Sequence, residues 1–190
     1  MEQSCLDLAK IQKQFNDDKF RVAVNVSARQ FKHHRLLSKV QHCLEISGIS
    51  PSCLELEVTE RQLIHDFEGA VSELDEITDL GVKLAIDDFG NGYSSFSTLR
   101  SIPFDTLKID RSFIQDITSR TGAFTLVKTI TSMTRVLGLN ATAEGIETRA
   151  QLNLIKNFAG CKYAQGFYFS RPIPLNDFTQ YLDESTEKTS

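Results

Sequence analysis

No window of eighteen uninterrupted apolar residues occurs in these 190 residues, so the sequence offers no membrane-spanning helix. Cysteine is sparse and scattered: Cys5, Cys43, Cys53 and Cys161 form no Cys-x-x-Cys pair, which argues against a zinc cage or a disulfide framework and for reduced thiols. Neither sign of charge forms a long run. With 21 Lys+Arg against 25 Asp+Glu the net charge is −4, which excludes a basic arm for duplex nucleic acid. The opening Met1-Glu2-Gln3-Ser4 is acidic and polar where a secretion signal is basic and then apolar, so a cytoplasmic segment without membrane contact is expected. Of the four histidines, His33 and His34 are adjacent and His42 and His65 stand alone; none has the spacing of a metal-binding helix, and all read as surface residues. Ser94 and Ser95 have no histidine base to serve them, which disfavours a Ser-His-Asp hydrolase. What remains, 41% hydrophobic and 24% charged residues without a linker or low-complexity tract, is an ordinary globule large enough to bury a core.

Short β-branched runs alternate with segments of helical period. The expected strands are Phe20 to Val26, Leu54 to Val58, Val82 to Asp87, Thr106 to Ile109, Asn140 to Ala143 and Tyr163 to Phe169. A helix over Glu2 to Phe15 opens the chain. Apolar stripes at three-and-four spacing mark two further helices: Phe67, Ala70, Val71, Leu74, Ile77 and Leu80 form one, and Phe124, Val127, Ile130, Met133 and Leu137 the other. Ser27 with Gln30 and Thr148 with Gln151 have capping-box spacing, and Gly48, Gly81, Gly138 and Gly160 stand where helices need a left-handed stop. Six strand-then-helix units imply an α/β fold with a parallel sheet, doubly wound or closed into a barrel.

The strand faces favour a barrel. Val22 and Val24 oppose Arg21, Ala23 and Asn25; Leu84 and Ile86 oppose Lys83, Ala85 and Asp87; Leu107 and Ile109 oppose Lys108 and Asp110; Ala141 and Ala143 oppose Thr142 and Glu144. One face can take covering helices, while the other gathers polar groups toward the carboxyl ends of the strands, as at a barrel mouth. Those strand-end residues are Asn25, Glu57, Asp87 with Asp88, Lys108 with Asp110, Glu144 and Gln165. Any one of the acids or Asn25 is most simply a helix cap. Together they place several carboxylates at one mouth, where they repel one another unless a cation neutralises them. Hard oxygen donors without thiolate suit Mg²⁺ or Mn²⁺. The adjacent Asp87-Asp88 pair suits two ions, the arrangement that clamps both oxygens of an in-line phosphoryl displacement. Lys108 can then orient or deprotonate the attacking water, and Glu144 can serve as ligand or general base. Gly90 and Gly92 lie in the loop that follows the pair, a weak phosphate signal alone. Tyr93, Phe167 and Phe169 can stack on a base, but aromatic residues of an α/β protein are more often core.

At these residues the sequence closely resembles the EAL-domain family of cyclic di-GMP phosphodiesterases. The motifs are Val24-Asn25-Val26-Ser27-Ala28-Arg29-Gln30, Leu56-Glu57-Val58-Thr59-Glu60, Asp87-Asp88-Phe89-Gly90-Asn91-Gly92-Tyr93-Ser94-Ser95, Leu107-Lys108-Ile109-Asp110-Arg111-Ser112-Phe113, Ala143-Glu144-Gly145-Ile146-Glu147-Thr148 and Ala164-Gln165-Gly166-Phe167. The resemblance implies a modified TIM-like (β/α)8 barrel that hydrolyses cyclic di-GMP to pGpG with Mg²⁺ or Mn²⁺. It implies Asn25, Glu57, Asp87 and Glu144 as metal ligands, with Asp88 on a second ion. Lys108 and Glu144 would handle the water, and Gln165 would contact the metal cluster or substrate. Glu60 would steady the glycine-containing loop and link it to dimer packing, and Glu147 would be a further acid of the mouth. Asn91, Phe96 and Phe167 depart from the residues usual in the family, and none of them is a ligand. A homodimer and an upstream sensor or cyclase domain are the partners it suggests. The Glu-Ala-Leu signature and the phosphate-binding Arg after it do not occur in these residues. The expectation is therefore an incomplete barrel over residues 1–183, about six βα units without the first two strands, followed by a polar tail at 184–190. Such a chain should be a poor catalyst by itself; the alternative is a regulatory module that binds cyclic di-GMP or a protein without turnover.

Overall fold

The structure, a computed structural model, describes residues 1–27, 30, 35–63, 67–90 and 101–187. Its elements run α1 (Glu2–Phe15), β1 (Val22–Asn25), α2 (Leu36–Ser47), a 3-10 turn (Pro51–Cys53), β2 (Leu54–Thr59), α3 (Glu60–Leu63), α4 (Phe67–Asp79) and β3 (Lys83–Phe89). They continue with β4 (Thr106–Ile109), α5 (Arg111–Gln115), α6 (Thr121–Leu137), β5 (Asn140–Ala143), α7 (Arg149–Ile155), β6 (Cys161–Ala164) and α8 (Leu175–Glu187). Every strand pairs in parallel with the next, in the order β1-β2-β3-β4-β5-β6. Among the described residues β1 pairs only with β2 and β6 only with β5, so the sheet is six strands of an incomplete TIM-like barrel. No described helix is long and apolar enough to cross a membrane.

Strict alternation builds the core. Leu54, Leu56, Leu84, Ile86, Leu107 and Ile109 are wholly buried on the helix-facing side, each contributing about 1.5–3 kcal/mol by leaving water. Ala70, Leu74 and Ile77 of α4 and Val127 and Ile130 of α6 join the same cluster, as their spacing predicts. Helices α2 and α6 end at Gly48 and Gly138 in left-handed conformation, and Gly81 and Gly160 also have positive φ. All four cysteines are free thiols, and burial pushes those of Cys5 and Cys161 up to about 11.

Two local expectations change. Thr148 and Gln151 form the full reciprocal capping box, but at Ser27 only half of one exists. There the Gln30 side chain accepts from the Ser27 N–H at 2.8 Å and from the Ser27 hydroxyl at 2.7 Å, while the Gln30 N–H donates to the Ser27 carbonyl at 2.9 Å and not to the hydroxyl. The last strand is Cys161–Ala164, not Tyr163 to Phe169. After Ala164 the chain wraps around Ile146, whose N–H donates to Gln165 O and whose carbonyl accepts from Tyr168 N–H, and it closes a turn from Phe169 N–H to Gly166 O. Phe167 and Phe169 are consequently 52% and 45% exposed instead of joining the core.

Candidate functional site

The register carries alternate residues of all six strands to the side away from the helices. Asn25 pairs with Glu57, Thr59 with Asp87, Ala85 with Thr106, and Lys108 with Thr142. Ala23, Glu55, Glu57, Thr106, Lys108 and Gln165 are among the residues lining a cavity of about 750 Å³ on this side.

Lys108 organises the acids. Its Nζ lies 2.7 Å from Glu57 Oε1, 2.7 Å from Glu144 Oε1 and 3.1 Å from Asp87 Oδ1, all with side chains at least four-fifths buried. Burial by itself pulls an ammonium's pKa down, yet the hydrogen bonds and charges of Glu144 and Glu57 outweigh it and the Lys108 pKa is raised. The first cation among these carboxylates is thus the protein's own ammonium, which neutralises part of the charge before any metal binds. Of the two uses expected for Lys108, this environment favours donating and orienting, because a lysine held so firmly protonated is a poor base. Burial raises the Glu144 carboxyl pKa, with Lys108 opposing and Asp87 and Glu57 adding to the rise.

A β-bulge sets the adjacent acids. Ile86 pairs with Leu107 but Phe89 with Ile109, so β3 carries one extra residue at Asp87-Asp88. Asp88 takes φ +55, a left-handed conformation that Asp tolerates better than most side chains. Partial burial, then the charges of Asp87 and Asp110, raise its carboxyl pKa. Gly90, at φ +103, lies so close to Phe113 that a Cβ would stand 2.8 Å from its ring. Gly92 and the rest of that loop, Tyr93, Ser94 and Ser95 included, lie outside the described residues.

The other expected residues separate. Asn25 ends β1 beside Glu57, and Gln165 lines the shared cavity just after β6. Asp110 is the N-cap of α5, accepting from the N–H and hydroxyl of Ser112. Glu147 is exposed, and its N–H donates to Gln151 Oε1 at 2.8 Å. Glu60 opens α3, but its side chain lies outside what the structure describes. His42 is exposed, as expected, while His33, His34 and His65 fall outside the described residues. Glu55, half-buried on the cavity side with its pKa raised by burial, was not anticipated; its alternation with Glu57 in Leu54-Glu55-Leu56-Glu57 is the signal that marks it.

Among the described residues no three His, Cys, Asp or Glu side chains close around one point as metal ligands. The chemistry of the donors nevertheless fits a divalent cation. Three carboxylates around one ammonium leave a formal charge of about two negative. Asp87 Oδ1, near Lys108 but out of hydrogen-bond alignment, is a buried oxygen without a donor.

A model of the family described as EAL domain matches residues 1–172. The cyclic di-GMP phosphodiesterase NbdA of Pseudomonas aeruginosa is 39% identical over 182 residues, 96% of this chain and 23% of that protein. The chain spans only a fifth to a quarter of the curated relatives it matches, 20% and 23% of the first two. Among solved structures, the PaMucR phosphodiesterase in complex with c-di-GMP superposes with a TM-score of 0.87 at 35% identity, over 93% of this chain and 71% of that one. The manganese and cyclic di-GMP complex of Klebsiella pneumoniae BlrP1 gives 0.80 at 29% identity, over 90% and 42%.

Proposed function

Since this chain belongs to the EAL domain family, we propose that its acidic mouth is the metal- and phosphate-handling part of a phosphodiesterase that converts cyclic di-GMP to pGpG. The observation that carries the reading is the convergence of Glu57, Asp87 and Glu144 on the Lys108 ammonium, with Glu57 and Lys108 also lining the cavity. Relatives with the same fold are phosphodiesterases of, or complexes with, that dinucleotide.

In this reading Asn25, Glu57, Asp87 and Glu144 would hold one Mg²⁺ or Mn²⁺, and Asp88 would serve a second. When bound, the ions supply Lewis-acid polarisation of the phosphodiester and a lowered pKa for water. Lys108 donates hydrogen bonds that hold the attacking water. Glu144, its pKa raised by burial, takes a proton from that water. The water oxygen forms a bond to phosphorus, the bond from phosphorus to one ribose 3′-oxygen breaks, and that oxygen takes up a proton from solvent, as Glu144 releases its own, to leave as the hydroxyl end of pGpG. Gln165 contacts the substrate or the metal cluster from the cavity wall.

The test is incubation of the chain with cyclic di-GMP and Mn²⁺ while binding and pGpG are followed. Binding with slow conversion that stops with EDTA, and falls by about tenfold or more in Asp87→Asn, is the expected result. No binding with either Mg²⁺ or Mn²⁺ overturns the proposal; binding without product replaces it with a regulatory module.

A further inference from the structure

Resting on the metal reading of Asn25, we infer that Gln62 is a positioning residue that holds this ligand in place. Asn25 is the last residue of β1, which pairs on one side only among the described residues, and it is exposed. Ladder pairing with β2 reaches its next neighbour through one bond, from Val26 N–H to Glu57 O at 2.9 Å. The Val26 carbonyl accepts instead from a side chain: Gln62 Nε2 donates to it at 2.6 Å. The same amide accepts from the Thr59 N–H through Oε1 at 2.9 Å. One side-chain amide in α3 thus ties the carboxyl end of β1 to the end of β2 and extends the ladder past the last strand pair. Val26 itself is 2% exposed, so its carbonyl has little water to turn to if Gln62 is lost. The two strands joined here carry Asn25 and Glu57. Among the described residues the side-chain bonds of Gln62 go to Thr59 and Val26 and to neither ligand, and its role is to fix their separation.

Gln62→Glu separates this role from general folding, since a carboxylate keeps the acceptor for Thr59 N–H and loses the donor to Val26 O. Mn²⁺ affinity, read by EPR titration of the chain without substrate, should fall about tenfold, as for other supports of metal ligands. In an Asn25→Ala background the same substitution should change affinity by less than about twofold, because the residue it positions is gone. Thermal melting without metal identifies a misfolded variant; Gln62→Met, which removes both bonds at similar volume, is then measured in the same two backgrounds. Parental Mn²⁺ affinity in the Gln62 variants, or an equal loss in both backgrounds, overturns the inference while leaving the metal site standing. If Asn25→Ala by itself binds Mn²⁺ like the parent, the ligand reading of Asn25 fails, and this inference with it.

Discussion

The Lys108 ammonium lies 2.7 Å from Glu144 Oε1, joining the middle of β4 to the residue just past β5 inside a wall of carboxylates. Lys108 also meets Glu57 and Asp87, whose like charges raise the Glu144 pKa, so the cluster behaves as one electrostatic unit.

Removing the ammonium should therefore expose the repulsion it suppresses. Lys108→Met is expected to destabilise the metal-free chain by about 3 kcal/mol, because three buried carboxylates lose their common partner. Added Mn²⁺ should restore much of that loss and stabilise the variant more than the parent. Denaturant unfolding with and without Mn²⁺ checks both parts; an unchanged midpoint without metal would show that the acids do not depend on Lys108.

The bulge at Asp87-Asp88 sets stability against function. Asp88→Gly relieves a left-handed side-chain conformation, worth about 1–2 kcal/mol at most, against about 0.5–1 kcal/mol of added backbone entropy. Stability should change by at most about 1.5 kcal/mol while the number of Mn²⁺ ions bound per chain falls by one. Calorimetric titration reads that number, and an unchanged stoichiometry contradicts the assignment of Asp88 to a second ion.

Gly145 follows Glu144 at φ +71, and a Cβ there would stand 2.5 Å from Arg111 Cβ and 3.2 Å from its Cα. The Arg111 backbone cannot retreat without moving the start of α5. Gly145→Ala should cost about 2–5 kcal/mol from overpacking and the left-handed conformation together. A loss below about 1 kcal/mol in urea unfolding would mean that the Glu144-Gly145 turn can move away from α5.

Much of this protein was legible in its residues, and the limit has a physical cause. Alternation in Leu54-Glu55-Leu56-Glu57-Val58 and Val82-Lys83-Leu84-Ala85-Ile86 assigned one face to the core and the other to polar chemistry, since successive side chains of a strand must point to opposite sides. The left-handed stops at Gly48 and Gly138 and the capping box at Thr148-Gln151 were equally local. Asp110 was ambiguous in sequence because a cap and a site residue need the same carboxylate at the same strand end; it caps α5 through Ser112 N–H and also faces Asp88.

The sequence by itself determined six parallel strands, their buried faces and the set of acids at their carboxyl ends, because these follow from period and residue type. Tertiary structure decided which of those groups meet. That Lys108 reaches Glu57, Asp87 and Glu144, that one extra residue in β3 presents both Asp87 and Asp88, and that Gln62 spans β1 and β2 all depend on inter-strand register. Register comes from packing across neighbouring strands far apart in the chain, and no local pattern carries it.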